Sequence, residues 1–118
     1  MSTQFDTVIK GGTVVTAGDQ MRCDVGIKDG QIAMLGHDLG HAQTVIDAKD
    51  KLVLPGGIDS HVHISQPSGE GIVMADDFES ATRSAALGGT TTVMPFVLQE
   101  KGRPLRETVN DYHALAKG

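Results

Sequence analysis

Leu52-Val53-Leu54-Pro55-Gly56-Gly57-Ile58-Asp59-Ser60-His61-Val62-His63 is the stretch on which the fold turns. An apolar run meets a Pro-Gly-Gly entry. A carboxylate and two imidazoles then follow at alternate positions. Strand side chains repeat every two residues, so on a strand Asp59, His61 and His63 share one face. Two imidazoles on one face are natural ligands for a single divalent metal, because histidine nitrogen suits zinc and its first-row neighbours. The competing reading, a pair of core histidines, sits poorly behind an aspartate and a turn entry.

The chain changes texture around Pro55. Residues 1–54 read as a partial β-sandwich domain of short strands and tight turns. Thr7–Lys10 and Thr13–Thr16 flank Gly11-Gly12, and the spacing predicts a hairpin there. Asp24–Lys28 and Gln31–Leu35 flank Asp29-Gly30, a stronger form of the same signal, with Val25, Ile27, Ile32 and Met34 expected on a buried face. Val45–Asp47 reads as one more short strand. Residues 55–118 read as strand, loop, helix, strand, helix. Asp76 is placed to cap the first helix, with Glu79 completing a capping box and Phe78, Ala81, Thr82, Ala85 and Ala86 forming the apolar stripe. Gly88-Gly89 ends that helix. Thr90–Met94 reads as a buried strand stopped by Pro95, and Leu105–Ala116 as a second helix through Leu105, Val109, Tyr112 and Ala116. That alternation implies parallel strands joined by crossovers, an α/β arrangement. Two such units are a quarter of a (β/α)8 barrel, which takes about 250 residues. The open arc and the strand-poor first half both look unable to bury a full core.

Bulk properties narrow the function. The 118 residues carry 10 Lys and Arg against 15 Asp and Glu, a net charge of -5, which argues against nucleic acid or an anionic membrane as partner. Aromatic content is 3%, so the core must be aliphatic. Cys23 is the single cysteine, which fits a reducing compartment and a cytoplasmic protein. Met1–Asp6 shows no basic region followed by an apolar stretch, and Val93–Leu98 is far too short to cross a bilayer.

Pro55–His63 resembles the amidohydrolase superfamily, which carries a His-x-His pair at the end of the first barrel strand. Asp76–Thr82 and Ala85–Thr91 are similar to its cyclic-amide branch, the dihydropyrimidinases and hydantoinases. Pro67 sits where that branch commonly has a proline, and Pro104–His113 resembles its second barrel helix. The likeness implies an N-terminal β-sandwich followed by the first two β/α units of a metal-dependent hydrolase barrel, left incomplete. It implies ring-opening hydrolysis of a small cyclic amide or ureide by two divalent metals, zinc above all. Such metals lower the pKa of a bound water to about 7 and stabilise the tetrahedral oxyanion. His61 and His63 are the ligands carried over. The family's bridging lysine, later histidine pair and proton-shuttling aspartate have no matching positions. Lys101 follows the second strand and is not the bridge. No catalytic residue is therefore assigned within these 118 residues, which read as an N-terminal fragment inactive alone, from a full-length protein expected to be a homo-oligomer.

Two departures from the branch bear on substrate. Ile64–Gly69 lacks the arginine that dihydroorotases use to hold a carboxylate. Met94-Pro95-Phe96 lacks the hydantoinase aspartate and is more like dihydroorotases or allantoinases. Allantoin and dihydroorotate thus stand as alternatives to a dihydropyrimidine or hydantoin. A non-catalytic assembly or scaffold member of the lineage is the rival from another class, and the retained histidines speak against it.

The remaining candidates carry simpler readings beside functional ones. Asp59 either orients a ligand through a hydrogen bond to it or anchors the turn. Gln66 and Pro67, in the loop after the histidines, are candidates for lining the substrate pocket, since barrel active sites lie at the C-terminal ends of the strands. His37 and His41 fall between glycines and read as surface loop, and His113 as solvent-facing helix. Asp76 and Asp77 are explained by helix capping and the dipole rather than by acid–base chemistry.

Overall fold

A computed structural model describes residues 4–117. Met1–Thr3, where the stretch read as lacking a signal peptide begins, and Gly118 lie outside the described residues. The chain divides into two compact units, residues 1–55 and 56–118.

Among the described residues the first unit holds seven strands in two sheets. The larger sheet has the order β5-β4-β1-β6, formed by β1 (Phe5–Lys10), β4 (Asp24–Lys28), β5 (Gln31–Gly36) and β6 (Ala42–Asp47). The smaller has the order β3-β2-β7, formed by β2 (Thr13–Val15), β3 (Gln20–Arg22) and β7 (Leu52–Val53). The Asp29-Gly30 hairpin forms between β4 and β5, with both residues at positive φ (50° and 73°), as a tight two-residue turn demands. The Gly11-Gly12 hairpin does not form. β1 pairs with β4 and β6, whereas β2 pairs with β3 and β7, so the two glycines carry the chain from one sheet to the other. Close packing explains why. A Cβ on Gly12 would lie 2.6 Å from Val53 Cγ2 and 3.0 Å from the Ala48 Cβ. The Gly11 amide is taken by Asp24 Oδ1 at 3.0 Å, not by a facing strand. The segment β6–β7 runs parallel to β1–β2 through this corner, held by Ala48 N–H to Lys10 O and Thr13 N–H to Lys51 O. Val14, Cys23 and Val25 form the core cluster, with Ile9, Ile27 and Val53 against it, so both sheets contribute. Phe5 and Val8 are buried too, and three atoms of the Phe5 ring lie 2.7–3.0 Å from where a Gly26 Cβ would be. Ile32 and Met34 are exposed rather than buried, because β5 is an edge strand.

The second unit begins with β8 (Gly57–Val62), followed by α1 (Phe78–Leu87), β9 (Thr90–Pro95) and α2 (Leu105–Leu115). β8 and β9 are parallel neighbours across the intervening helix. The apolar run Leu52–Leu54 is thus not the strand that carries the histidines; it belongs to β7, in the first unit, and Pro55-Gly56 separates the two. Gly56 must be small, since a Cβ there would come within 2.7 Å of the Thr91 Cβ. Pro95 ends β9 as expected, opposite Val62. The buried side chains of this unit are Ile64, Thr108 and Tyr112, so its core is thin. On α2 the covered face runs through Thr108 and Tyr112, while Leu105 is exposed.

The cap of α1 is Asp77, one residue after the expected Asp76. Its carboxylate accepts from Ser80 N–H at 2.8 Å and Ser80 Oγ answers the Asp77 N–H at 3.1 Å, so Ser80 and not Glu79 completes the box. Asp76 instead accepts from the Ser80 hydroxyl at 2.9 Å. The Ser80 backbone and side-chain bonds hold the Asp77 carboxyl below its usual 3.8. A carboxyl depressed in the folded state stabilises above its unfolded pKa and loses that contribution as pH falls through the lower folded value. Thermal melts of wild type and Asp77→Asn should therefore differ most above about pH 4 and converge on further acidification. A gap that stays constant to pH 2 would show that the charge of Asp77 contributes nothing.

Candidate metal centre

β8 ends at Val62, and His63 is the first residue beyond it. Along this strand four residues, Asp59 to Val62, span what three residues, Val93 to Pro95, span on β9. The extra residue is a bulge, a feature that re-aims side chains beside functional sites. Across it the two imidazoles come together, with ring centroids 5.1 Å apart and planes at 49°. Both residues are exposed. The pair is therefore neither splayed to opposite sides nor shut in an apolar interior.

Phe96, the residue after β9, organises this corner. Its N–H donates to Val62 O at 2.9 Å, extending the β8–β9 pairing by one bond. Its ring stacks on His61 at 4.9 Å and 17° and lies 5.5 Å from His63. Gln66 closes the arrangement from the other side. Its Nε2 donates to Phe96 O at 2.5 Å, and its Oε1 lies 2.7 Å from His63 Nδ1. Asp59 has a different task. Its carboxylate accepts from the His61 backbone N–H at 3.1 Å, holding the chain at the bulge.

The loop after His63 is pinned at successive residues. Ile64 is 1% exposed, and the Tyr112 hydroxyl donates to its carbonyl. Burial raises the Tyr112 phenol above its usual 10.0, with the Ile64 bond acting the other way. The Tyr112 ring also meets Phe78 at 5.2 Å, so α1, α2 and the histidine loop converge on it. Ser65 takes a left-handed φ of 48° and donates its N–H to Asp76 O at 3.2 Å. Such backbone costs of order 1–3 kcal/mol for a residue other than glycine and clusters at functional sites. Gln66 and Pro67 also border a concavity of about 600 Å³ reaching Leu98, Arg103 and Tyr112, which the histidines do not line.

Among the described residues no cluster of three or more His, Cys, Asp or Glu side chains could hold a metal. The donor set present is two imidazoles, chemically suited to zinc but short of its usual four ligands. His113 is exposed on α2, and His37 and His41 are exposed in the first unit, away from any such pair. Sequence reasoning missed Phe96 and the bond of Gln66 to His63. The available signal for Phe96 was one of only three phenylalanines, directly after the neighbouring strand. No helix among the described residues is long and apolar enough to cross a membrane.

No protein-family model matches the chain. It is 47% identical over 118 residues to a D-hydantoinase of Streptomyces coelicolor, covering 95% of this chain and 25% of that protein. It is 44% identical over 115 residues to an allantoinase of Bacillus licheniformis, covering 97% and 25% respectively. A solved D-hydantoinase structure superposes with a TM-score of 0.89 at 46% identity, over 95% of this chain and 24% of that one. The chain spans about a quarter of the length of the relatives it matches. It is a homologue of the D-hydantoinases and allantoinases over nearly all of its own length.

Proposed function

We propose that this chain supplies the first histidine pair of a divalent-metal centre in a cytoplasmic, homo-oligomeric hydrolase that opens cyclic amides. The observation that carries the reading is the His61–His63 pair, 5.1 Å between rings, at the C-terminal end of β8. Phe96, at the same end of β9, stands beside it. In a (β/α)8 barrel the active site lies at that end of the strands. β8-α1-β9-α2 fits the first two β/α units of such a barrel, and the seven strands before it fit a β-sandwich. Superposition on a D-hydantoinase over 95% of this chain, with a TM-score of 0.89, supports both assignments.

His61 and His63 would hold the more buried of two zinc ions. When bound, zinc supplies an activated water at neutral pH and polarises the amide carbonyl. Phe96 restricts rotation of the His61 ring, and Gln66 restrains His63. Hydantoin or dihydropyrimidine rings are the favoured substrates, with allantoin next, in keeping with the hydantoinase and allantoinase relatives. Dihydroorotate ranks last, because Ile64–Gly69 offers no cation for its carboxylate. Two imidazoles alone leave the metal under-coordinated, so these 118 residues should bind zinc yet not turn over substrate. Incubating the purified chain with zinc or manganese and hydantoin or dihydrouracil tests both halves. Metal uptake with no ring opening is expected. Turnover at the rate of a full-length relative would overturn the claim of inactivity, and a full-length protein that takes up no metal would overturn the metal centre.

A further inference from the structure

We infer that Gln66 is a positioning residue for His63: its amide, oriented by the Phe96 carbonyl, keeps the imidazole proton on Nδ1 and leaves Nε2 as the bare nitrogen. The use of that nitrogen for a metal rests on the function proposed above; the proton assignment does not.

Donors and acceptors fix the assignment. The Phe96 carbonyl can only accept, so the Gln66 group 2.5 Å from it must be the NH2. A reversed amide would set two carbonyl oxygens against each other. Orientation of the amide thereby places Oε1, which also only accepts, 2.7 Å from His63 Nδ1. A contact that short requires a hydrogen on Nδ1. In the neutral ring Nε2 then has no hydrogen and its lone pair is free. Ligating histidines as a rule donate their other ring N–H to a carboxylate, a carbonyl or water, which fixes tautomer and ring orientation. Here the acceptor is a side-chain amide.

The anchor is itself held. Phe96 is tied to β8 through Val62 O, and its ring covers His61, so one residue orients both imidazoles: His61 by stacking and His63 through Gln66. The left-handed turn at Ser65 brings Gln66 back towards His63 three residues earlier in the chain.

The test is the tautomer itself, read from ring 15N–1H correlations of the histidine-labelled, metal-free 118-residue chain at about pH 8, where free imidazole is neutral. Wild-type His63 should show the Nδ1–H pattern. Gln66→Leu removes the acceptor and should shift His63 towards a mixture with the Nε2–H form. Zinc affinity should fall by roughly 10–100-fold in Gln66→Leu, the usual loss for an outer partner of a ligating histidine. Backbone spectra away from residues 61–67 should match wild type. An Nε2–H pattern in wild type, or an unchanged Nδ1–H pattern in Gln66→Leu, would overturn the assignment. If instead the tautomer follows Gln66 as stated but zinc leaves both histidine spectra unmoved, the metal centre fails while the role of Gln66 stands.

Discussion

Zinc should be released when either His61 or His63 is replaced by alanine. Each substitution leaves one imidazole where two faced each other at 5.1 Å, and a lone neutral nitrogen cannot retain a borderline cation against water. The loss should exceed the roughly 10–100-fold that follows removal of an outer partner, and hence exceed that of Gln66→Leu. Competition with a colorimetric chelator measures it directly. A second readout is thermal: a ligand present at 100 times its Kd stabilises the fold by about 2.7 kcal/mol, and this increment should vanish in both variants. His113→Ala, on the exposed face of α2, is the control and should bind as wild type does. The two losses should also differ in character. His61→Ala uncovers the face of Phe96 and frees its ring, whereas His63→Ala releases Gln66 while leaving Phe96 bonded to Val62. Equal zinc affinity in His63→Ala and wild type would remove the basis for a metal centre here.

What was legible from the residues follows from which interactions are local. The Asp29-Gly30 turn, the strand after Gly88-Gly89 and the helix opened by consecutive aspartates are encoded in short windows, and all appear, although none of the residues of that strand is buried as expected. Gly11-Gly12 misled because the same dipeptide serves a hairpin and a crowded corner. Only the non-local approach of Ala48 and Val53 distinguishes them. The cap moved from Asp76 to Asp77 because Ser80, not Glu79, answers the N-cap amide, and Asp76 and Asp77 differ by one residue in a register that sequence cannot read finely. β3 was missed since Gln20-Met21-Arg22 is only three residues long with a single apolar side chain, and all three residues are exposed. In the candidate site the His-x-His spacing announced itself. The bulge, the Phe96 stack and the Gln66 bridge did not, because each depends on β9 arriving beside β8 from 30 or so residues away.

Tyr112→Ala should destabilise the second unit more than any other single truncation. Tyr112 is 6% exposed in a unit whose buried side chains number few, so it carries an unusual share of that core. Truncating a buried aromatic to alanine costs about 3–5 kcal/mol through lost transfer and the cavity left behind. Its contact with Phe78 on α1 would be lost with it. Tyr112→Phe separates the two contributions. The ring and its packing persist, but the Ile64 carbonyl loses its donor at a buried position. An unsatisfied buried acceptor costs about 1–3 kcal/mol, so the phenylalanine variant should fall between wild type and alanine in urea unfolding. The two variants should also act on the histidines. Ile64 follows His63 directly, so freeing its carbonyl loosens the anchor next to the ring. Amide hydrogen exchange at residues 62–66 should then accelerate in Tyr112→Phe, while exchange in β1 and β4, inside the other unit, stays at its wild-type rate. If Tyr112→Phe unfolds at the wild-type midpoint and leaves that exchange unchanged, the hydroxyl is not what ties α2 to the loop, and packing against Phe78 alone must hold it.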